Sequence, residues 1–328
     1  MTHRDSSQRS ALSRREALAA GVAAGAGLAL ALDPLARLSA LLAQQGAQQG
    51  PLIQRAIPSS GEQIPVIGIG TARRYDVAST AEERTPLRDV LRRFPELGGK
   101  LVDTAPAYGN AEMVVGDLVQ EIGNRPQLFL ATKVSVRGAG DAQSGVRQME
   151  ESMRRLHTDR IDLMQVHNLG GTAQLLPVLR EWKQAGRIRY LGVTTSSERQ
   201  YPALEQLMRA ERLDFVQVNY SIESREAADR ILPLAAERGM GVLVNLPFGR
   251  TSVFQKVGGK PLPGWAAEID CASWAQLFLK YIVSHPSVTC AIPGTAKVEY
   301  LVDNVAAARG RLPDAAMRKR IEAFFDAA

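Results

Sequence analysis

From about residue 62, short apolar runs rich in Val, Ile and Leu alternate with longer segments whose apolar positions recur at helical spacing. The runs are PVIGIGT at 65–71, KLVDTAP at 100–106, QLFLATKV at 127–134, RIDLMQVHN at 160–168, RYLGVTTS at 189–196, DFVQVNYS at 214–221, GVLVNLPF at 241–248 and TCAIPGT at 289–295. Each is short, β-branched and bounded by polar or turn residues, as a strand should be. Between them, SGVRQMEESMRRLH at 144–157 sets Val146, Met149, Met153 and Leu156 on one helical face, and YPALEQLMRAERL at 201–213 repeats the pattern. Eight strands, each followed by a helix, predict an α/β fold closed into a (β/α)8 TIM barrel, a single domain over 62–328. No unit repeats at a fixed period, which excludes a solenoid. An open dinucleotide-binding sheet would need a third glycine three residues after the GIG of 68–70, and Arg73 stands there. Gly68 and Gly70 are read instead as letting the backbone turn closely at the barrel mouth.

The segment before the barrel follows a different pattern. SRREAL at 13–18 and the uncharged Ala/Gly/Leu run at 17–32 give the basic-then-apolar order of an export signal. The pair Arg14 and Arg15 resembles a twin-arginine signal, which exports proteins already folded, although Ala17 stands where an aromatic is usual. The run is too short and too weakly apolar for a stable membrane span. Residues 1–43 are therefore expected to engage the twin-arginine (Tat) export machinery and deliver the protein to the periplasm. An ordinary amphipathic helix with a chance arginine pair is the other reading. Residues 44–61, opening with QQGAQQG, are expected to be a flexible linker.

Composition narrows the function classes. Of 328 residues, 45% are hydrophobic, enough for a sizeable core. The net charge of +6 comes largely from scattered arginines such as Arg92, Arg93, Arg154 and Arg155, with no continuous basic stripe, so nucleic acid is not an expected partner. Cys271 and Cys290 are the only cysteines, which excludes a disulfide framework and a cysteine metal cluster. A single bridge between them and two buried thiols both remain open. A monomer is expected.

In such a barrel the C-terminal strand ends line the active site, and three consecutive runs end in polar, titratable groups. Asp103 and Tyr108 follow the second run, Lys133 the third and His167 the fourth. Hydride delivery to a carbonyl carbon builds negative charge on its oxygen and needs a proton donor there. A phenol with a pKa near ~10 is a poor acid at neutral pH. Lys133 nearby would favour the phenolate and make Tyr108 a better donor, Asp103 would anchor Lys133, and neutral His167 would orient the carbonyl. A satisfied Asp103–Lys133 ion pair with Tyr108 packed over it is the alternative.

These residues resemble the aldo-keto reductase family. The resemblance rests on GIGT at 68–71, VDTAPAYGN at 102–110, ATKV at 131–134, QVHN at 165–168 and SWAQLFLKYIVSHPSVTCAIPGT at 273–295. It implies a catalytic tetrad of Asp103, Tyr108, Lys133 and His167, with NADPH as cofactor, NADH not being excluded, and an aldehyde or ketone as substrate. Gly70, Thr71 and Asp103 would lie at the cofactor. Gly294 and Thr295 of IPGT, with Lys297, fit a phosphate site at a helix N-terminus, and Asp303 and Asn304 would hold the adenine. Gln217 would hold the carboxamide, and Thr194 with Thr195 occupy positions where Ser-Asn is usual. Asn245 stands where the family commonly has a stacking Tyr, and Tyr300 where it has an Arg. Phe248 and Arg250 are expected to compensate by packing on the cofactor and reaching a phosphate. Loops at 73–76, 168–172 and 253–269 would choose the substrate, with Trp265 as an apolar wall. The competing functions are an exported dinucleotide-binding barrel acting as redox sensor or partner subunit, and a Schiff-base lyase with Lys133 as nucleophile, which Asp103 argues against.

Overall fold

The computed structural model describes residues 50–136 and 141–328; the export signal read at 1–43 and the start of the linker lie outside them. A short antiparallel hairpin comes first, β1 (Gln54–Ala56) and β2 (Gln63–Pro65). Residues 54–56, read above as linker, are its first strand.

All eight apolar runs become strands of one sheet: β3 (Ile69–Gly70), β4 (Leu101–Asp103), β5 (Phe129–Val134), β6 (Ile161–Val166), β7 (Ile188–Thr194), β8 (Phe215–Asn219), β9 (Gly241–Asn245) and β10 (Cys290–Ala291). Each pairs in parallel with the next in chain order. Bridges Ile67–Ala291 and Gly70–Gly294 join the first strand to the last and close the (β/α)8 barrel as a single domain. The two glycines of GIG serve this seam. A Cβ on Gly70 would stand 2.7 Å from the Ile292 carbonyl oxygen, and one on Gly68 would stand 3.2 Å from Cys290 Sγ.

Among the described residues ten helices surround the barrel: α1 (Ala81–Glu96), α2 (Ala111–Ile122), α3 (Ala142–Arg155), α4 (Thr172–Gln184), α5 (Tyr201–Ala210), α6 (Ala227–Glu237), α7 (Ser252–Val257), α8 (Trp274–Val283), α9 (Val298–Ala306) and α10 (Ala315–Asp326). Several start at the side-chain caps their sequences encode: Thr80, Asp141, Ser273 and Asp314 each accept from the backbone N–H three residues on. On α3 the expected face is largely inside, with Met149 and Met153 buried and Leu156 just beyond. Among the described residues no helix is long and apolar enough to cross a membrane.

Side chains alternate across each strand, so two cores form. The outer one lies between sheet and helices and takes Val102, Leu130, Met164, Val193, Val216 and Val244. The inner one fills the barrel with Leu101, Phe129, Ala131, Leu163, Phe215 and Leu243, and the hairpin adds Ile57 and Ile64 as a plug. Tyr190 of this inner core donates to Glu62 (2.7 Å) and shares a hydrogen bond with Ser60 (2.7 Å), which fixes the hairpin against the barrel. Two residues further along the same strands the inward positions turn polar: Asp103, Lys133, Gln165, Gln217 and Asn245.

Helix α2 packs backbone to backbone on the end of α3. A Cβ on Gly116 would lie 2.0 Å from the Arg155 carbonyl oxygen and 2.8 Å from Leu156 Cα. In an exposed helix Gly→Ala gains about 1 kcal/mol, whereas forcing a group into packed backbone costs about 1–3 kcal/mol or more. Gly116→Ala should therefore destabilise the protein by about 2 kcal/mol in urea denaturation. An unchanged or higher midpoint would show that the two helices are free to separate.

Candidate active site

Asp103 is the last residue of β4 and Lys133 the fifth of β5, neighbouring strands with both side chains directed into the barrel. Both are buried, Lys133 completely. Lys133 Nζ donates to Asp103 Oδ1 (2.8 Å), Asp103 Oδ2 (2.7 Å) and the Thr104 carbonyl oxygen (2.8 Å). All three ammonium protons are thus accepted, as a charge withdrawn from water requires. Gln165 and Gln217 donate more distantly to the two carboxylate oxygens, at 3.4 and 3.5 Å.

Tyr108 sits in the turn between β4 and α2, its backbone N–H on the Ala105 carbonyl (3.1 Å) and its own carbonyl accepting from Ala111 N–H (3.2 Å). Lys133 Nζ stands 5.2 Å from the centre of its ring. The His167 imidazole, one residue past β6, meets that ring edge to face, with centroids 5.9 Å apart at 86°. The four groups expected at adjacent strand ends are therefore brought together.

Their charge states follow from burial. It would pull the Lys133 ammonium down, but the charge and hydrogen bonds of Asp103 outweigh it and hold its pKa above the ordinary lysine value. An amine kept protonated is no nucleophile, which removes the Schiff-base reading. Burial pushes the Tyr108 phenol up, and the Lys133 charge only partly pulls it back. Lys133 favours the phenolate as expected, but desolvation outweighs it, and Tyr108 stays protonated at neutral pH, as a donor must. His167 is lowered to about 4 by burial and then by Lys133, so its imidazole is neutral.

The residues assigned to a dinucleotide divide into two groups. Gln217 Oε1, Asn245 Oδ1 and the corresponding oxygen of Gln165 are buried acceptors with no hydrogen-bond partner. Buried polar atoms are normally paired, and three open acceptors at the barrel top suit an amide donor such as a nicotinamide carboxamide. Thr194 is buried beside them, at the end of β7. Gly294 and Lys297 lie where the chain enters α9, with the Lys297 side chain 60% exposed, 3.9 Å from Glu299 and over the Tyr300 ring at 5.7 Å. Free N–H groups at that helix start suit a phosphate.

The second group makes contacts within the chain. The Asp303 carboxylate accepts from Ser273 Oγ (2.8 Å) and Gln276 Nε2 (2.7 Å), tying α9 to the start of α8. Asn304 is buried and donates to Thr295 Oγ1 (3.1 Å), which itself donates to the Pro293 carbonyl (3.1 Å). Asp303 and Asn304, the residues expected at the adenine, thus also hold this turn together. Thr71 donates to the Asp103 carbonyl (3.0 Å), and Thr195 donates to Gln200 Oε1 (2.6 Å), shaping the loop after β7. Phe248 packs on Phe254 with centroids 5.0 Å apart, and Arg250 is exposed at φ 56°. Trp265 packs on Phe324 (5.8 Å) and Arg320 (4.9 Å) of α10. Cys271 and Cys290 are buried free thiols.

Three residues near the site escaped the sequence reading. Gln165 was legible in principle, two positions after inward Leu163. Asp76 accepts from Asn110 N–H (2.9 Å), and a Cβ on Gly109 would lie 2.2 Å from its carboxylate, so it braces the Tyr108 turn. Arg74 lies against Gly294, where a Cβ would be 3.4 Å from its Cγ. These two act across loops, which no strand period reveals.

A sequence profile described as "Aldo/keto reductase family" matches residues 66–324. Among curated proteins, the chain is 30% identical over 259 residues to "Methylglyoxal reductase YeaE" of Escherichia coli (strain K12), covering 77% of this chain and 89% of that protein. Among solved structures it is similar to an aldo/keto reductase from Klebsiella pneumoniae in complex with NADP and acetate. That match has 26% identity and a TM-score of 0.66 over 81% of this chain and 93% of the other. An aldo-keto reductase from the same organism in complex with NADPH shares the fold, with a TM-score of 0.69 at 24% identity over 84% of this chain and 96% of the other.

Burial of His167 has a consequence for acid stability. Between its ordinary pKa of 6.5 and its folded value of about 4, the unfolded chain binds a proton that the folded chain does not. Stability is therefore lost as pH falls through this window, by up to about 3 kcal/mol. His167→Gln should lose less stability than the parent between neutral pH and the lower end of the window, measured as urea midpoints. His285, also lowered to about 4 by burial and then by Arg318 and Arg55, contributes equally to both proteins. An identical acid loss in the two would mean that His167 titrates normally.

Proposed function

The chain belongs to the aldo/keto reductase family and is an NAD(P)H-dependent oxidoreductase, and on that premise we propose that it reduces aldehydes or ketones with Tyr108 as proton donor. The observation that carries this reading is the buried Asp103–Lys133 pair with a protonated phenol on one side and a neutral imidazole beyond it. A reduced nicotinamide dinucleotide supplies the hydride when bound. NADP is the form in the Klebsiella complex, which supports NADPH here.

The protein's own part is the proton. As negative charge grows on the carbonyl oxygen, Tyr108 donates its phenolic proton to it, and the phenolate that forms is stabilised by the ammonium of Lys133. Lys133 itself does not swing away, because its three protons are held by Asp103 and the Thr104 carbonyl. Neutral His167 donates a hydrogen bond to the same carbonyl oxygen and so aims it at Tyr108; an imidazolium there would repel Lys133. Gln217 and Asn245 accept from the carboxamide, Thr194 lines that wall, and the IPGT turn with Lys297 receives a phosphate. Gly70, Phe248 and Arg250 border the same cleft. The name of the Escherichia coli relative supports small 2-oxoaldehydes as first substrates to try.

The protein is further proposed to act as a monomer and to be exported folded to the periplasm, acquiring its cofactor beforehand. Arg14 and Arg15 ahead of the apolar run support the export half.

Tyr108→Phe should lower aldehyde reduction by about 10²–10⁴-fold while NADPH still quenches protein fluorescence at the parental concentration. Parental turnover in that variant would sink the proton-donor assignment. For export, the double variant Arg14→Lys, Arg15→Lys should remain as full-length precursor in the cytoplasm while the parent reaches the envelope fraction processed. Equal distribution of the two would refute the signal.

A further inference from the structure

Proton donation requires the Tyr108 phenol to stay beside Lys133, yet the two residues belong to different elements: Tyr108 to a turn, Lys133 to β5. One connection between them is buried and specific. Glu112, four residues after Tyr108 and in the first turn of α2, is fully buried, and its Oε1 accepts from Thr132 Oγ1 at 2.6 Å. Thr132 immediately precedes Lys133, so it faces out of the barrel towards α2 while Lys133 faces in. The hydrogen bond therefore spans the gap between the Tyr108 segment and the Lys133 strand from behind.

The other Glu112 oxygen, Oε2, has no hydrogen-bond partner. Its nearest cation is Arg155 at the end of α3, 3.5 Å away. Burial pushes the Glu112 carboxyl above its ordinary range, against the hydrogen bonds of Thr132 and Ser152 and the charges of Arg155 and Lys133. A carboxylate half satisfied in a packed interface is costly, and an apolar pair of the same volume would stabilise that interface as well or better. Stability alone does not account for it.

We propose that Glu112 and Thr132 form a clasp that sets the distance between Tyr108 and Lys133, making both positioning residues for proton transfer. Asp76 supports the turn from its outer side, through Asn110 N–H and against Gly109. The Tyr108 turn is then held at both faces, by a carboxylate from the first loop outside and by Glu112 inside. The inference rests on Tyr108 as the proton donor.

The test uses the full chain and NADPH. Thr132→Val keeps the shape and removes the donor. It should lower kcat for aldehyde reduction on the order of 10-fold or more, since displacements of about 1 Å cost up to 100-fold. It should also shift the limb of the pH–kcat profile that Tyr108 sets, with NADPH binding by fluorescence unchanged. Thr132→Ser should restore both. Glu112→Asp, which keeps the charge but shortens the clasp, should reproduce the kcat loss and the shifted limb, and carries the test if Thr132→Val does not fold. Parental kcat and pH profile in either folded variant, whatever its stability, overturns the proposal, as does failure of Thr132→Ser to restore them. If Tyr108→Phe abolishes turnover while these variants do not change it, only the clasp fails; if Tyr108→Phe is active, the proton-donor reading fails.

Discussion

Everything at the top of this barrel depends on one buried ion pair, Lys133 with Asp103. Withdrawing two charges from water costs several kcal/mol per ion, and attraction offsets this only when geometry is good and the remaining hydrogen-bonding groups are satisfied. Here the ammonium has three acceptors, two on one carboxylate and one on Thr104. The pair is a fixed dipole, and it modulates the protonation that burial sets in its neighbours. The ammonium opposes the burial that raises the Tyr108 pKa, and it adds to the burial that keeps His167 neutral. One positive charge, held by one carboxylate, thus readies a donor and a neutral aligning group together.

The pair can exist only because the rest of the barrel excludes water below it. Inward positions are apolar for most of each strand, and the hairpin closes the far end with Ile57 and Ile64. Only the last inward position on several strands is polar. Backbone strain follows the same division: of eight non-glycine residues with positive φ among those described, six lie in loops at the C-terminal strand ends, namely Arg73, Asn168, Leu169, Leu246, Arg250 and Thr251. Such conformations persist only where surrounding structure holds them, and they gather at functional sites. The barrel is regular where it must be stable and strained where it meets ligand.

The same alternation explains what could be read in advance. Eight strands and the convergence of Asp103, Tyr108, Lys133 and His167 were legible because period two and the strand-end rule are local, and Asp103, Lys133 and His167 each end an apolar run. The hairpin was not: Gln54–Ala56 is three residues long with an exposed, polar-flanked pattern, and its value lies in Ile57 and Ile64, which pack on strands far away in sequence. The in-chain partners of Asp303 and Asn304 escaped the sequence for a related reason. An acid and an amide on a helix beside a phosphate-type turn look available for a ligand, but Ser273, Gln276 and Thr295 bind them first. The direction of the Tyr108 shift also needed burial, which sequence does not carry.

What remains is a contrast between two halves of one cleft. On the proton side the Lys133 and Asp103 polar atoms are bonded within the chain, and Tyr108 and Lys133 are braced from behind through Glu112 and Thr132. Gln165, Gln217 and Asn245 on the neighbouring wall each keep a buried carbonyl oxygen unpaired. Asn245, which stands where the family commonly stacks an aromatic ring, belongs to this set. Its loss of a stacking face is accompanied by a gain of hydrogen-bonding capacity, and on the proposed reading the carboxamide end would be held through polar contacts rather than through a ring.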